Sequence, residues 1–276
     1  MFKINNLTYQ YDKKRKALDN VSMDFDKGNI IGIIGSNGSG KSTLFNNLMG
    51  ILKATSGEIL YRGNNLKYDK KSLYKLRREV GVVFQDPEKQ IFYSMVYDDI
   101  AFALRNIGTD EDIIKVRINQ ALDAVNGKDF IDRPVHSLSY GQKKRVAIAS
   151  VIAMNNDLIL LDEPTAGLDP ESTKAIVEII KSLHNKGKKI VITSHDMNLI
   201  YDICDYVYVL NKGKVINEGS TEDVFLNERI INEAGLELPW LVKLNKNMGL
   251  PLFRKEEDLY SYWNKNFEDG FNQIAK

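Results

Sequence analysis

The sequence predicts an α/β fold built on a parallel sheet, and three features carry that prediction. Short apolar runs rich in β-branched residues recur along the chain, at residues 30–34, 80–84, 158–161 and 190–193. Runs of this kind are typical of strands that are buried on both faces of a parallel sheet. Segments with helical spacing, such as residues 172–185, lie between the runs, and glycines follow the first run directly. Strands that alternate with helices in this way indicate parallel strands joined by right-handed crossovers.

Alternating apolar positions precede the first of these runs. Phe2, Ile4 and Leu7 are spaced as in a strand, and Val21 and Met23 repeat the spacing further along. Alternation with a period of two is typical of strands and hairpins that bury one face. We therefore expect an antiparallel β subdomain at the N-terminus, before the parallel sheet.

Helical spacing replaces the strand pattern between about residues 86 and 155. Apolar residues recur there at helical intervals, and they are Ile100, Ala103, Leu104, Ile113, Val116, Ile118, Leu122 and Val125. This spacing predicts a helical subdomain inserted between strands of the sheet.

The C-terminal segment, residues 226–276, has a polar composition with scattered aromatic residues. Residues 256–274 are compatible with a helix, and apolar side chains lie near helical spacing on it, namely Leu259, Tyr260, Trp263, Phe267 and Phe271. Such a stripe predicts either packing onto its own domain or a contact with a second chain.

Composition and charge exclude several classes of protein. The chain has 38 basic and 37 acidic residues and a net charge of +1, so a charge-driven nucleic-acid or lipid binder is not expected. The single cysteine, Cys204, cannot form an internal disulfide. The N-terminus lacks the plan of a signal peptide, and no apolar run approaches the roughly 18 residues of a membrane-spanning helix. We therefore expect a cytoplasmic protein.

A phosphate-binding loop follows the apolar run at residues 30–34. It consists of Gly35, Ser36, Asn37, Gly38, Ser39, Gly40, Lys41 and Ser42, with Thr43 next. The glycines allow consecutive backbone N–H groups to surround a phosphate, and a helix starting near Lys41 directs its positive N-terminus at the same group. Lys41 is expected to reach the β- and γ-phosphates of ATP, and the Ser42 hydroxyl to bind Mg²⁺.

A pair of carboxylates ends the apolar run at residues 158–161. Asp162 and Glu163 are expected at the sheet edge where α/β folds bind ligands. Asp162 is then a candidate for the metal site, and Glu163 for the base that polarises the attacking water. Two acidic residues that close a strand are common by themselves. With the phosphate loop upstream, ATP hydrolysis is the preferred interpretation.

The segment Leu138-Ser139-Tyr140-Gly141-Gln142 resembles the LSGGQ signature of the nucleotide-binding subunits of ABC transporters, with Tyr140 in place of the first glycine. The resemblance implies that Ser139 and Gly141, with Gln142, contact the γ-phosphate of an ATP molecule bound to a second protomer. An ordinary helix N-cap would give the same local backbone shape. Both descriptions are compatible, because a helix N-terminus is what binds the anion.

The same resemblance extends over residues 1–225 and implies a fold. We expect an α/β P-loop NTPase (RecA-like) core with an N-terminal antiparallel β subdomain. A helical ABC subdomain at about residues 86–155 would be inserted in it, and a short C-terminal extension at residues 226–276 would follow. Relatives use such an extension for contacts between two ATPases.

Four further positions are assigned by resemblance to the family. Gln85 resembles the Q-loop glutamine that senses Mg²⁺ and water, and Asp169 lies in a segment similar to the D-loop. His195 resembles the H-loop histidine that bonds the γ-phosphate and holds the water of the catalytic glutamate. Tyr11 matches the aromatic residue that stacks on adenine, and nearby Tyr9 is the competing candidate.

Residues 85–92 resemble the Q-loop of energy-coupling-factor (ECF) ATPases, the CbiO-like proteins that energise uptake of cobalt, nickel or vitamins. Residues 93–96, Tyr-Ser-Met-Val, depart from the Ser-Pro-Thr-Val that is common there. The resemblance implies ATP and Mg²⁺ as cofactors and a location at the cytoplasmic face of the cell membrane. The implied partners are a second ATPase protomer, identical or paralogous, a transmembrane coupling protein and a membrane-embedded substrate-binding component. Cobalt is favoured as the cargo.

Particular residues argue against two other functions. ABC ATPases that act on DNA or ribosomes usually carry a coiled-coil insert, zinc-binding cysteines or tandem cassettes, whereas this chain has one cysteine and one cassette. A regulatory module without turnover should lack Glu163 or His195, and both are present. An exporter ATPase is the remaining alternative.

Overall fold

Ten strands form two sheets in the computed structural model, which describes residues 1–12 and 15–274, with side chains to residue 266. In chain order they are β1 (Phe2–Gln10), β2 (Lys16–Asp24), β3 (Ile30–Ile34), β4 (Ser56–Tyr61), β5 (Asn64–Asn65), β6 (Val80–Val83), β7 (Leu158–Asp162), β8 (Lys189–Ser194), β9 (Tyr206–Asn211) and β10 (Lys214–Ser220).

Eleven α-helices connect or cover these strands in the same part of the chain. In chain order they are α1 (Lys41–Leu48), α2 (Lys70–Glu79), α3 (Val96–Asn106), α4 (Glu111–Ala124), α5 (Tyr140–Ala153), α6 (Pro170–Asn185), α7 (Met197–Ile203), α8 (Thr221–Leu226), α9 (Glu228–Glu233), α10 (Trp240–Met248) and α11 (Glu256–Ile274).

The smaller sheet is antiparallel and has the order β2-β1-β4-β5. Its alternating apolar residues Phe2, Ile4 and Leu7 are buried, as their spacing predicts. They share one hydrophobic cluster with Leu44 of α1 and Ile31 of β3. The predicted N-terminal β subdomain is therefore confirmed, and it packs beside the strand and helix that flank the phosphate loop.

The larger sheet has the order β10-β9-β3-β8-β7-β6, and every neighbouring pair is parallel except β10 with β9. All residues of β3 and β7 are buried, which explains their unbroken apolar sequences. Because β3, β6, β7 and β8 run in the same direction, the residues that follow them meet at one edge. The α/β core with a phosphate-binding loop is confirmed.

Helices α3, α4 and α5 lie between β6 and β7 in the sequence. They pack against one another and form the helical subdomain. The apolar spacing predicts the helices of this region correctly, but the buried face of α4 consists partly of other residues than the spacing predicts. Ile113 and Val116 are exposed, whereas Ile114 and Ile118 are buried. The buried stripe includes residues four apart, and Ile113 and Val116 fall outside it.

The chain after β10 is more helical than its polar composition indicates, since α8, α9 and α10 lie there. Helix α11 coincides with the segment that was expected to be helical, and Leu259 on it is buried against the core. Tyr260 is exposed. The side chains of Phe267 and Phe271 lie outside the described residues. Within the described part of the chain, no helix is long and apolar enough to span a membrane.

Candidate active site

A cavity of about 770 Å³ opens at the edge of the larger sheet where β3, β6, β7 and β8 end. Its walls include residues 37–43 of the phosphate loop and the side chains of Tyr11, Gln85, Glu163 and His195. Residues that are far apart in the sequence therefore meet at one site. The volume is in the range of sites that hold a small molecule.

Three glycines of the phosphate loop are required by its conformation. Gly38 and Gly40 have positive φ values of 77° and 112°, which glycine adopts without the strain of a side chain. A Cβ at Gly35 would lie 2.2 Å from the Leu210 carbonyl oxygen, so no larger residue fits there. The loop thus stays close to the sheet while α1 starts directly at Lys41. This is the arrangement that suits the phosphates of ATP.

The Lys41 ammonium is bound to its own loop. Its Nζ donates hydrogen bonds to the carbonyl oxygens of Gly35, at 2.7 Å, and Ser36, at 3.3 Å, and it lies 3.8 Å from Glu163 Oε1. Burial lowers the pKa of Lys41, and the carboxylates of Glu163 and Asp162 oppose that shift. A phosphate that enters the cavity would therefore meet a cation already held at its wall.

Tyr11, and not Tyr9, lines the cavity among the described residues. Tyr11 is 65% exposed, and its hydroxyl is 3.2 Å from Thr43 Oγ1 on α1. Tyr9 packs against the small-sheet core and meets the Tyr11 ring edge-on at 5.0 Å. Tyr9 thus supports a ring that is free to stack on a base.

Asp162 ends β7 and is nearly buried. Its register partner on β8 is Thr193, whose hydroxyl donates a hydrogen bond to Asp162 Oδ1 at 2.5 Å. This bond fixes the carboxylate at the carboxyl end of the sheet. Asp162, Ser42 and Gln85 carry oxygen donors, the type of ligand that Mg²⁺ prefers, so the residues present fit that ion.

Glu163 and His195 form a hydrogen-bonded pair. Glu163 Oε2 is 2.7 Å from His195 Nδ1 and accepts a second hydrogen bond, at 3.3 Å, from the His195 backbone N–H. The Glu163 backbone lies in the left-handed region with φ of 46°, where a residue other than glycine is strained. Its N–H donates to Thr193, through both the carbonyl and the hydroxyl oxygen. The surrounding structure therefore holds the carboxylate in one orientation.

Lys144 was not recognised from the sequence as part of the site. It has no exposed surface, and its Nζ donates to the carbonyl oxygens of Gln85, at 2.6 Å, Phe84, at 3.0 Å, and Glu163, at 3.5 Å. Burial lowers the pKa of Lys144 to about 8, and Asp162, Asp86 and Glu163 oppose the shift. A signal existed in the sequence, because Lys144 shares the buried spacing of the apolar residues that follow it on α5.

The signature residues lie at the start of α5. Ser139 caps the helix by accepting from the Gln142 N–H at 3.3 Å, and the Gln142 side chain accepts from the Ser139 N–H at 3.0 Å, which completes a capping box. A Cβ at Gly141 would lie 2.7 Å from Ser172 Oγ and 3.2 Å from Ser172 Cβ of α6, so a larger residue there would require the Ser172 side chain to move.

The D-loop candidate Asp169 caps α6 in the same manner. It accepts hydrogen bonds from the Ser172 N–H at 2.8 Å and from the Ser172 hydroxyl at 2.7 Å, and both lower the pKa of its carboxyl group. Among the residues that the structure describes as lining the cavity, Asp169 and the signature residues Ser139, Gly141 and Gln142 are missing. One chain thus presents two separate sets of predicted ATP-binding residues.

A family model described as ABC transporter matches residues 18–166. The chain belongs to the ABC transporter family. This chain is an ATP-binding protein of that family, and it is an ATPase coupled to transport, as the motifs predict. The predicted fold class is confirmed by the same match and by solved ABC structures.

The curated relatives of this chain include ATP-binding proteins called CbiO and EcfA. It is 44% identical to the cobalt import ATP-binding protein CbiO of Salmonella typhimurium, over 94% of this chain and 96% of that protein. It is 41% identical to the energy-coupling factor transporter ATP-binding protein EcfA of Methanosphaera stadtmanae, over 87% and 86% of the two chains. The predicted resemblance to CbiO-like ECF ATPases is thereby confirmed.

Two solved structures extend the comparison. This ABC chain is 40% identical to cbiO1 from Clostridium perfringens, described as part of the ABC transporter complex cbiONQ, with a TM-score of 0.76 and coverage of 89% of this chain and 98% of that one. It is 29% identical to an ATP-binding cassette described as dimeric, in a post-hydrolysis state bound to ADP and Pi. For that pair the TM-score is 0.73, with coverage of 80% and 99%.

Proposed function

We propose that this chain is the ATP-hydrolysing subunit of an ECF-type ABC importer that drives uptake of a micronutrient. Cobalt is the favoured cargo, with nickel or a vitamin as alternatives. The similarity to CbiO and EcfA proteins over almost the whole chain supports the importer class. The coupled position of Glu163 and His195 beside the phosphate loop is the observation that carries the catalytic part of the proposal.

ATP hydrolysis in this proposal takes place between two protomers. The cavity of one protomer would hold ATP on residues 35–43, and Ser139, Gly141 and Gln142 of the other would close over the γ-phosphate. Two observations support this arrangement. The signature residues do not line the cavity of their own chain in the described structure, and a 29% identical cassette is described as a dimer bound to ADP and Pi. The second protomer is an identical chain or a paralogue.

Each catalytic residue has a defined task in this mechanism. Glu163 accepts the proton of the attacking water while the water oxygen bonds to the γ-phosphorus, and the bond from that phosphorus to the β,γ-bridging oxygen breaks. His195 holds the Glu163 carboxylate and bonds the γ-phosphate. Lys41 exchanges its contacts with Gly35 and Ser36 for the β- and γ-phosphates. Mg²⁺, when bound through Ser42, Asp162 and Gln85, would neutralise phosphate charge.

The adenine ring of ATP would stack on Tyr11, and Asp169 would contact the partner protomer through the D-loop. Asn37 and Ser39, with the glycines of the loop, would offer backbone N–H groups to the phosphates. We propose the roles of Tyr11 and of the loop because Tyr11 and residues 37–43 share the walls of one cavity, and the role of Asp169 because its segment resembles the D-loop. Closure of two protomers excludes water and strengthens these electrostatic contacts.

The membrane partner would dock beside the Q-loop. Phe92, Tyr93 and Phe102 form an aromatic cluster there, with ring centroids 5.0 to 5.8 Å apart, and Phe92 is 67% exposed. We propose this cluster as the contact for a transmembrane coupling protein, which works with a membrane-embedded substrate-binding component at the cytoplasmic face of the cell membrane. Exposed aromatic residues are typical anchors of such contacts.

The variant Glu163→Gln tests the catalytic proposal. Because the amide cannot accept the proton, ATP hydrolysis should fall about 10²–10⁴-fold while ATP binding persists. The variant should accumulate as an ATP-dependent dimer, measured by size-exclusion chromatography with light scattering. Glu178→Gln, on the exposed side of α6, is the matched control and should behave as the parent chain. Turnover of Glu163→Gln at the parental rate would exclude Glu163 as the base.

The cargo is tested by transport in vesicles that contain the complete complex. Co²⁺, Ni²⁺ and vitamins are supplied outside and ATP on the side of this subunit, and accumulation inside is measured with and without ATP. ATP-dependent accumulation of Co²⁺ alone is the expected result. Accumulation of a vitamin instead would change the cargo, and ATP-dependent extrusion would support the exporter alternative.

A further inference from the structure

Tyr140, the residue that departs from the family signature, contacts the Q-loop of its own chain. Its hydroxyl donates a hydrogen bond to the Gln85 carbonyl oxygen at 3.2 Å. Lys144, one helical turn further along α5, donates to the same oxygen at 2.6 Å. Residues four apart lie on the same side of a helix, so two donors from one face of α5 converge on a single acceptor. A glycine at position 140 has no side chain and could not make the first contact.

The second donor is firmly fixed. Lys144 has no exposed surface, and its Nζ also bonds the carbonyl oxygens of Phe84 and Glu163. A buried ammonium requires such partners, because leaving the charge unsatisfied inside the protein costs several times a normal hydrogen bond. Lys144 therefore connects α5 to the residues that directly follow β6 and β7. Gln90 adds a further link, since it accepts from the Phe84 N–H at 3.0 Å and donates to the Ala147 carbonyl at 3.3 Å.

The two sides of this connection would act on different ATP molecules. Gln85 lines the cavity of its own chain. Ser139 and Gly141, which flank Tyr140, would close over the nucleotide of the partner. A displacement of the Gln85 backbone would thus move the start of α5 if the connection is stiff. Two hydrogen bonds to one oxygen, at 2.6 Å from a buried ammonium and at 3.2 Å from a hydroxyl, give such a connection.

We infer that Tyr140 and Lys144 form a clasp on the Gln85 carbonyl that couples occupancy of one ATP site to the signature residues facing the other. The inference rests on the proposed ATP-dependent dimer. Tyr140 and Lys144 are positioning residues in this scheme and act through Gln85, Ser139 and Gly141. Loss of either residue should weaken ATP-dependent closure, and loss of the Tyr140 hydroxyl should leave ATP binding to the isolated chain unchanged.

The decisive comparison is Tyr140→Phe in the Glu163→Gln background, where hydrolysis does not remove the dimer. The substitution deletes one hydroxyl and keeps the ring. We expect the ATP concentration for half-maximal dimer formation to rise about three- to tenfold, as loss of one hydrogen bond allows. ATP affinity at protein concentrations too low for dimer formation should stay within about twofold of the parent.

Tyr74→Phe is the matched control. Its hydroxyl also donates to a backbone carbonyl, that of Asn106 at 3.3 Å, and Tyr74 is 47% exposed against 38% for Tyr140. The control should leave the ATP requirement unchanged. A purely structural role of Tyr140 would lower the midpoint of thermal unfolding in both variants and leave the ATP requirement of Tyr140→Phe at the parental value.

Lys144→Met is the second variant, and its folding is checked by thermal unfolding before dimer formation is measured. It should raise the ATP requirement more than Tyr140→Phe, because three carbonyl oxygens lose their bond to the Lys144 ammonium. An unchanged ATP requirement in Tyr140→Phe overturns the clasp, whatever Lys144→Met does. Failure of the Glu163→Gln parent to dimerise with ATP overturns the proposed function instead, so the two failures are distinguishable.

Discussion

At the scale of single residues, Thr193 determines how the two carboxylates at the end of β7 are held. Its hydroxyl donates to Asp162 and accepts from the Glu163 N–H, and the side chain is fully buried. The strained left-handed backbone of Glu163 persists because these bonds fix it. The Glu163 carboxylate, which we propose as the catalytic base, is thus positioned by a residue on the neighbouring strand that no motif identifies.

Thr193→Val should separate this positioning role from stability. Valine has nearly the same shape but lacks the hydroxyl, so the free energy of unfolding should fall by about 1–3 kcal/mol. ATP turnover should fall by an order of magnitude or more because Asp162 and Glu163 lose a shared partner. Thr221→Val is the control, since Thr221 is equally buried and donates to the Cys204 carbonyl away from the site. Equal turnover in the two variants would contradict the role of Thr193.

At the scale of secondary-structure elements, the start of α3 fixes the exposed aromatic residues of the Q-loop. Asp99 is nearly buried and accepts hydrogen bonds from the N–H groups of Phe92, at 3.0 Å, and Tyr93, at 3.2 Å. These bonds hold the chain ahead of α3 in a defined turn. Burial raises the pKa of Asp99 and these two hydrogen bonds oppose the shift.

The raised pKa gives a prediction about stability and pH. Because the folded pKa of Asp99 exceeds its ordinary value of 3.8, the protonated form contributes stability that is present below pH 3.8 and lost as pH rises through the folded pKa. Asp99→Asn has no such titration. The free energy of unfolding of the parent should therefore decrease relative to Asp99→Asn across this interval, measured by denaturant titration at several pH values. A constant difference would show that Asp99 does not titrate with folding.

Some secondary-structure elements could be predicted from the sequence and others could not, and the difference lies in how much of each element is buried. Strands β3 and β7 are buried on both faces, so nearly every position in them is apolar and the sequence alone identifies them. Helices α9 and α10 each bury only one or two residues, and their polar sequences carry little of the periodic signal. The phosphate loop is local in sequence and was predictable. Contacts such as Lys144 with Gln85 join distant segments and depend on tertiary packing.

At the scale of the whole molecule, the C-terminal segment is joined to the core through Arg254. Its guanidinium bonds Glu222 on α8 and the Cys204 carbonyl at the end of α7, and it lies over the Tyr201 ring at 5.1 Å. The Tyr201 hydroxyl in turn donates to the Phe253 carbonyl. The extension is therefore packed onto the helix that directly follows His195.

Arg254→Met should weaken this connection while leaving the ATP cavity intact. The free energy of unfolding should fall by about 1–3 kcal/mol, because the guanidinium bonds are lost and the Cys204 carbonyl loses a donor. ATP affinity of the isolated chain should not change, as Arg254 does not line the cavity within the described residues. Lys255→Met, at the exposed neighbouring position, serves as control. Identical thermal unfolding of the two variants would contradict the connection.

The close approach of Gly141 to Ser172 changes how substitutions in the signature are to be interpreted. A methyl group at position 141 would displace the Ser172 hydroxyl on α6 of the same subunit, whether or not a second subunit is bound. Inactivity of Gly141→Ala would therefore combine internal crowding with a damaged intersubunit contact. Ser172→Ala removes the Oγ atom that crowds position 141, but it also removes the hydroxyl that donates to Asp169, so the single variant Ser172→Ala is measured as the control. Activity of the double variant that recovers to the level of Ser172→Ala would assign the defect to the interior, and persistent inactivity would assign it to the proposed contact between subunits.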